Sequence, residues 1–165
     1  MCLVVRGEMA AGTNKGMSKP LRILATLLAC LALTTSPALA AAPAKASADF
    51  EEKLFSPVDG VLDFEETADG IKVSGSFKKG FASDKPADYQ LLVLDGAETV
   101  VDFTKDFQKV AEIAPPEVDA FEFTTTTKKK INDIRNEDVV VRQLVDVAAG
   151  IKVQAEIGRT KVEKV

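Results

Sequence analysis

Two strands' worth of alternating apolar and polar residues flank a single Asp-Gly pair, and this pattern constrains the chain more than any other. Val61-Leu62-Asp63-Phe64-Glu65 leads through Thr67-Ala68-Asp69-Gly70 into Ile71-Lys72-Val73-Ser74-Gly75-Ser76-Phe77. Successive side chains on a strand point to opposite faces, and Asp-Gly supplies the backbone conformations that a tight hairpin turn requires. The pattern predicts a β-hairpin with Ile71, Val73 and Phe77 on one face and Lys72, Ser74 and Ser76 on the other.

A second hairpin is predicted from Val139 to Val147 and Ile151 to Ile157, turning at Ala148-Ala149-Gly150. Its second strand opens with Gly150-Ile151-Lys152-Val153, identical to Gly70-Ile71-Lys72-Val73. Leu62 and Phe64 are inward in the first hairpin, whereas Arg142 and Leu144 hold the matched places in the second. Shared turn and strand chemistry explains this identity better than duplication does.

Between the hairpins, Lys78 to Asp88 reads as a loop with Gly80 and Pro86, and Tyr89 to Leu94 as a nearly continuous apolar strand closed by Asp95-Gly96. A strand buried on both faces accounts for such a run. The next segment carries two signals. Thr99, Val100 and Val101 are β-branched and favour a strand returning from the turn. At helical spacing, however, Val100, Phe103, Phe107, Val110, Ala111 and Ala114 share one arc, opposite Glu98, Asp102, Lys105, Lys109 and Glu112. The wider pattern predicts a helix over about 99–113, ended by Pro115-Pro116. Alternation returns from Val118 to Thr127, with Phe121, Phe123, Thr125 and Thr127 on one face, before Lys128-Lys129-Lys130. Ile131 to Asp138 reads as a turn or short helix. The sum is a mainly β fold, an antiparallel β-sandwich or small open barrel with one amphipathic helix; an α+β fold is the alternative.

Met17 to Ala40 has the order of a secretory signal peptide: Lys19 and Arg22, an apolar run from Ile23 to Leu33, and a small-residue cleavage site at Ala38-Leu39-Ala40. The apolar run is shorter than the roughly 20 residues of a permanent membrane span. Residues 1–16 read as a mis-called start or an extra targeting segment. Cleavage near Ala40 implies a secreted or periplasmic protein. Leu27-Leu28-Ala29-Cys30 resembles a lipobox, which would instead lipidate Cys30, although Leu28 is bulky for that motif. Residues 41–49 are expected to form a flexible small-residue tether. The β-rich domain is expected over 50–165, its core beginning near Phe50 or Phe55, whose rings are costly to leave in water.

The first hairpin, Gly60 to Phe64 through Asp69 to Gly75, resembles the opening hairpin of copper/zinc superoxide dismutases. The resemblance covers under a fifth of residues 41–165 and implies a β-sandwich. Those enzymes hold their metals mainly through histidine, and this chain has none, so the activity does not follow.

The lack of histidine also removes the base of Ser-His-Asp and Cys-His catalysis and the commonest transition-metal ligand. Both cysteines, Cys2 and Cys30, precede the expected cleavage site. Residues 41–165 hold 17 basic and 24 acidic side chains, a net charge of −7, which is the wrong sign for neutralising phosphates. Nucleic acid is not an expected partner.

The remaining chemistry is sparse. Ser76-Phe77-Lys78-Lys79 fits S-x-x-K, but Ser76 falls on a strand and no K-T-G follows. Ser83-Asp84-Lys85 is only superficially like the companion S-D-N motif. Gly75 to Gly80 lacks the Lys-Ser/Thr that completes a phosphate loop. The acidic pairs Glu51/Glu52, Glu65/Glu66, Glu117/Asp119 and Glu137/Asp138 read as solvated faces. Asp59, Asp69 and Asp95 each precede glycine and are turn residues, without the spacing of a calcium loop. Thr124 to Lys130 reads as a guarded edge strand. No catalytic, cofactor or metal residue is therefore assigned. The expected function is an exported, non-enzymatic binding or interaction module acting through loops or a sheet edge. Its partner would be a protein, a surface or a small apolar ligand. The alternatives are a carrier holding a small apolar ligand between helix and sheet, and a calcium-binding exported domain.

Overall fold

In the computed structural model, residues 42–148 and 150–165 are described. Residues 1–16, the expected signal peptide at 17–40, Cys30 and the cleavage site at Ala40 lie outside them. The hairpin around Asp69-Gly70 joins β2 (Asp59–Glu66) to β3 (Gly70–Lys79), with Val73 opposite Phe64 and Ile71 opposite Glu66. Thr67 closes the turn, donating to the Gly70 carbonyl from its backbone N–H and its hydroxyl. Ile71, Val73 and Phe77 are buried, as the alternation predicts.

Strand β1 (Lys45–Phe50) flanks β2, and β10 (Glu163–Lys164) flanks β1. On the other side, β3 pairs with β7 (Glu117–Thr126), which receives the short β6 (Ile113–Ala114) across Pro115-Pro116. These six strands form one sheet in the order β10-β1-β2-β3-β7-β6. The second sheet contains β4 (Tyr89–Asp95), β5 (Glu98–Asp102), β8 (Asp138–Ala148) and β9 (Ile151–Lys161), in the order β5-β4-β8-β9. Every pairing is antiparallel, and neither sheet closes on itself. The architecture is a β-sandwich.

Its interior is largely aromatic. Phe64, Phe103 and Phe123 form one chain of ring contacts, Phe77, Phe81 and Tyr89 another, with centroids 4.7 to 6.0 Å apart. Burying each such ring stabilises the fold by about 1.5–3 kcal/mol relative to exposing it. Leu91 and Val93 face this core, while Leu92 and Leu94 join Val140 in a smaller cluster on the other face of the sheet. The continuous apolar run of β4 is thus explained by burial on both faces, although the sheet is antiparallel.

Two close backbone approaches hold the sheets in register. Val58 is fully buried between Gly80 and Gly158. A Cβ at Gly158 would lie 2.8 Å from the Val58 Cβ; one at Gly80 would lie 2.6 Å from its Cα, in a backbone with φ +103°. Only glycine fits both positions without displacement.

Three expectations need correction. The helix expected over 99–113 is two elements. β-Branched Thr99, Val100 and Val101 continue from the Asp95-Gly96 turn as β5, and α1 spans only Thr104–Val110. The Asp102 carboxylate accepts the Thr104 N–H at 2.8 Å and marks the change. The tether expected over 41–49 contains most of β1, whose Ala46 and Ala48 are buried; small side chains there allow the close packing of a core strand. Phe50 is in the core, but Phe55 is exposed. By contrast, Ile131–Ile134 forms the short helix α2, with both isoleucines buried.

Candidate functional site

At one end of the sandwich, the β8–β9 hairpin outruns its neighbour. β4 begins at Tyr89, opposite Gln143, so the hairpin beyond that pair is a two-stranded ribbon. On β8 the core-facing series starts with buried Val139 and Val141 and passes through Gln143 and Val145 to Val147, which is 58 % exposed. On β9, Val153 stands opposite Val145 and is 40 % exposed, and Ile151 is 56 % exposed. The apolar face persists after the layer that should cover it has ended.

The repeated tetrapeptide shows this directly. In Gly70-Ile71-Lys72-Val73 both apolar side chains are fully buried; in Gly150-Ile151-Lys152-Val153 neither is. The two segments share chemistry and strand conformation. Among the described residues, only the second lacks an opposing layer.

The loop joining β1 to β2 lies at the same end. Lys53 and Ser56 exchange backbone hydrogen bonds of 2.8 and 3.0 Å, which places Leu54 and Phe55 at the tip, 90 % and 88 % exposed. The Thr160 hydroxyl donates to the Asp49 carbonyl, and Val58 N–H donates to the Ile157 carbonyl. Following β9 from Thr160 past Ile157 toward Ile151 therefore leads beside this loop and onto the free ribbon.

β9 is also the last strand of its sheet. Among the described residues, Ile151 to Glu156 have backbone partners only on β8. An edge with open N–H and C=O groups is a template for another strand. On the face opposite the valines lie Lys152, Gln154 and Glu156, with Lys152 across from Asp146. Arg159 donates two hydrogen bonds to the Glu156 carboxylate and one to Asp138. Glu156 is held below the usual carboxylate range by Arg159. At Asp138, burial opposes ionisation, but hydrogen bonds from Lys161 and Arg159 outweigh it and the carboxyl also moves down.

The residues singled out from sequence do not assemble into a site. Lys79 forms an ion pair with Glu52 at 2.7 Å that raises its pKa, the opposite of what a lysine base beside Ser76 requires. Glu65 and Glu66 pair with Lys45 and Lys130. Asp69 and Asp95 lie in turns at the end of the sandwich away from the ribbon, whereas Asp59 opens β2 near Lys79. Among the described residues, no three acidic side chains converge into a group able to hold a metal ion. Between α1 and the sheet, Phe107 packs edge-on against Phe121 at 5.2 Å. A cleft of about 320 Å³ lies over the six-stranded sheet, but its basic residues are already paired, Lys45 with Glu65 and Lys72 with Glu122. Among the described residues, no helix is long and apolar enough to cross a membrane.

Both strands of the ribbon were legible as a hairpin, but not its exposure. The available signal was length: Val139–Val147 outruns the Tyr89–Leu94 run beside which it must lie. No protein-family model matches the chain, and no curated protein matches it in sequence.

Proposed function

We propose that this chain is an exported, non-enzymatic interaction module that binds through the end of the sandwich bearing the β8–β9 ribbon and the Leu54-Phe55 loop. The observation that carries the reading is that Leu54 and Phe55 on the loop and Val147, Ile151 and Val153 on the ribbon are all exposed at this end of the sandwich, along the edge strand β9. Single exposed apolar residues are ordinary, but two exposed apolar sets at one end of the sandwich support an interaction surface. Export is supported by the signal-like order of Met17 to Ala40.

A photoreactive residue placed at Phe55 or Val153 should crosslink a defined molecule in the native host, whereas one at Thr99, in the turn region at the opposite end, should not. With that molecule purified, Leu54→Ser together with Phe55→Ser should weaken binding by about tenfold or more, equivalent to at least ~1.4 kcal/mol. Crosslinks equally frequent at Thr99, or undiminished binding by the double variant, would refute the proposal.

A further inference from the structure

We infer that the occupant of this end is a second copy of the same chain, paired antiparallel along β9 about a two-fold axis through Gln154. This rests on reading that end as an interaction site and specifies its partner. Free backbone on β9 begins after the turn at Gly150 and stops at Ile157, whose carbonyl is already taken by Val58. A strand pairing with its own copy within those limits is centred on Gln154 and spans Lys152 to Glu156.

That register is complementary in charge. Lys152 faces Glu156 of the other copy, Glu156 faces Lys152, Val153 faces Ala155, and Gln154 faces its own equivalent. Opposite charges directly across an antiparallel pair are favourable, whereas like charges oppose pairing. A shift of two residues in the pairing sum loses this match: it sets Gln154 against Glu156 or Lys152, and each charge keeps only the partner within its own chain, Asp146 for Lys152 and Arg159 for Glu156. The pairing also preserves the faces. Lys152, Gln154 and Glu156 stay on one side of the joined sheet, and Ile151, Val153 and Ala155 stay on the other.

The ribbon gains most from such a partner. A two-stranded hairpin is marginal in water, and three or more strands are needed for an independently stable sheet. Pairing two ribbons makes four strands. It also brings each ribbon tip, with Val147 and Ile151, toward Ile157 of the other copy and hence toward its Leu54-Phe55 loop. Both sets of exposed apolar residues thereby receive neighbours. The contact is isologous and closes at two copies, so the open edge does not propagate into a filament.

The decisive experiment uses the whole protein as recovered from its host. Sedimentation equilibrium should show a reversible dimer, and Ile151→Asp with Val153→Asp should raise its dissociation constant by about tenfold or more while circular dichroism stays unchanged. Gln154→Cys should form a disulfide-linked dimer under mild oxidation, because residues directly opposite across an antiparallel pair lie within disulfide reach, about 4.5–5.5 Å between Cα atoms. The unsubstituted protein, treated identically, controls for Cys2 and Cys30. A protein that remains monomeric, or a dimer that Gln154→Cys does not crosslink, overturns the inference. If the protein is monomeric but the Phe55 and Val153 probes capture a different molecule, self-pairing fails and the interaction reading stands. If they capture nothing, both fail.

Discussion

Tyr89 shows how much one buried polar atom can settle. Its ring packs on Phe81 with centroids 4.7 Å apart, while its hydroxyl accepts the Ser83 N–H at 2.7 Å and donates to the Ser83 carbonyl at 3.1 Å. With the Ser83 hydroxyl bonded to Asp88, this pair of contacts anchors the loop that the sequence marks only by Gly80 and Pro86. Tyr89→Phe removes both bonds and leaves two backbone groups partly shielded from water, so stability should fall by about 1–3 kcal/mol, measured from urea denaturation. Burial is also the main cause that raises the Tyr89 pKa, ahead of opposing backbone hydrogen bonds. Since this is the only tyrosine and tryptophan is absent, tyrosinate absorbance reports it alone. Ionisation should begin above the usual value of about 10. The sign follows: the neutral hydroxyl supports the fold fully below that value, and its contribution is lost as pH rises through the folded pKa. A midpoint at or below that of free tyrosine would contradict this burial. Residue identity alone did not disclose the Ser83 contact, because nothing in the sequence indicates which side chain crosses back to a loop six positions earlier.

At the scale of elements, α1 is the part that sequence periodicity overstated. Phe103 and Phe107 do face the core, yet the positions before them belong to β5. Six residues on a helical arc cannot separate a helix from a strand followed by about two turns of helix when β-branched Thr99, Val100 and Val101 open the segment. The surviving helix is tied to β7 by Asp106, which accepts from the Thr125 hydroxyl at 2.9 Å and from Lys109 at 2.8 Å. Its energetic weight lies in one side chain. Phe107→Ala should destabilise the protein by about 3–5 kcal/mol in chemical denaturation, because the cavity lies between α1 and Phe121. If the cost is below 1 kcal/mol, α1 is not a packed part of the core. The two hairpins, in contrast, were legible because alternation and glycine turns are local signals. The exposure of the second was not, since it depends on where β4 begins.

For the molecule as a whole, the ion pairs set the response to acid. Asp106, held down chiefly by Lys109, and Glu156, held down chiefly by Arg159, both ionise below their ordinary range, as does Asp138 despite its burial. Carboxyls whose folded pKa is depressed stabilise the fold fully above their unfolded values of about 4 and lose that contribution as pH falls through the folded values. Urea midpoints should therefore fall below about pH 4. Arg159→Gln should lower stability at neutral pH by about 1 kcal/mol, a modest figure because the guanidinium is partly exposed, and should flatten the acid slope. An unchanged slope in that variant would mean that Arg159 does not govern these carboxyls.

The order of strands adds a constraint in time. β1 is the first of the described strands, yet one of its edges is completed by Glu163 and Lys164, at the far end of the described chain. The four-stranded sheet likewise needs β8 before β4 is enclosed. A chain emerging N-terminus first therefore carries β1 with one edge unpaired until Glu163 and Lys164 arrive, and pairings between distant segments are slow to form. That delay suits the export proposed above, since a sheet still unfinished is easier to thread through a narrow pore than a complete one.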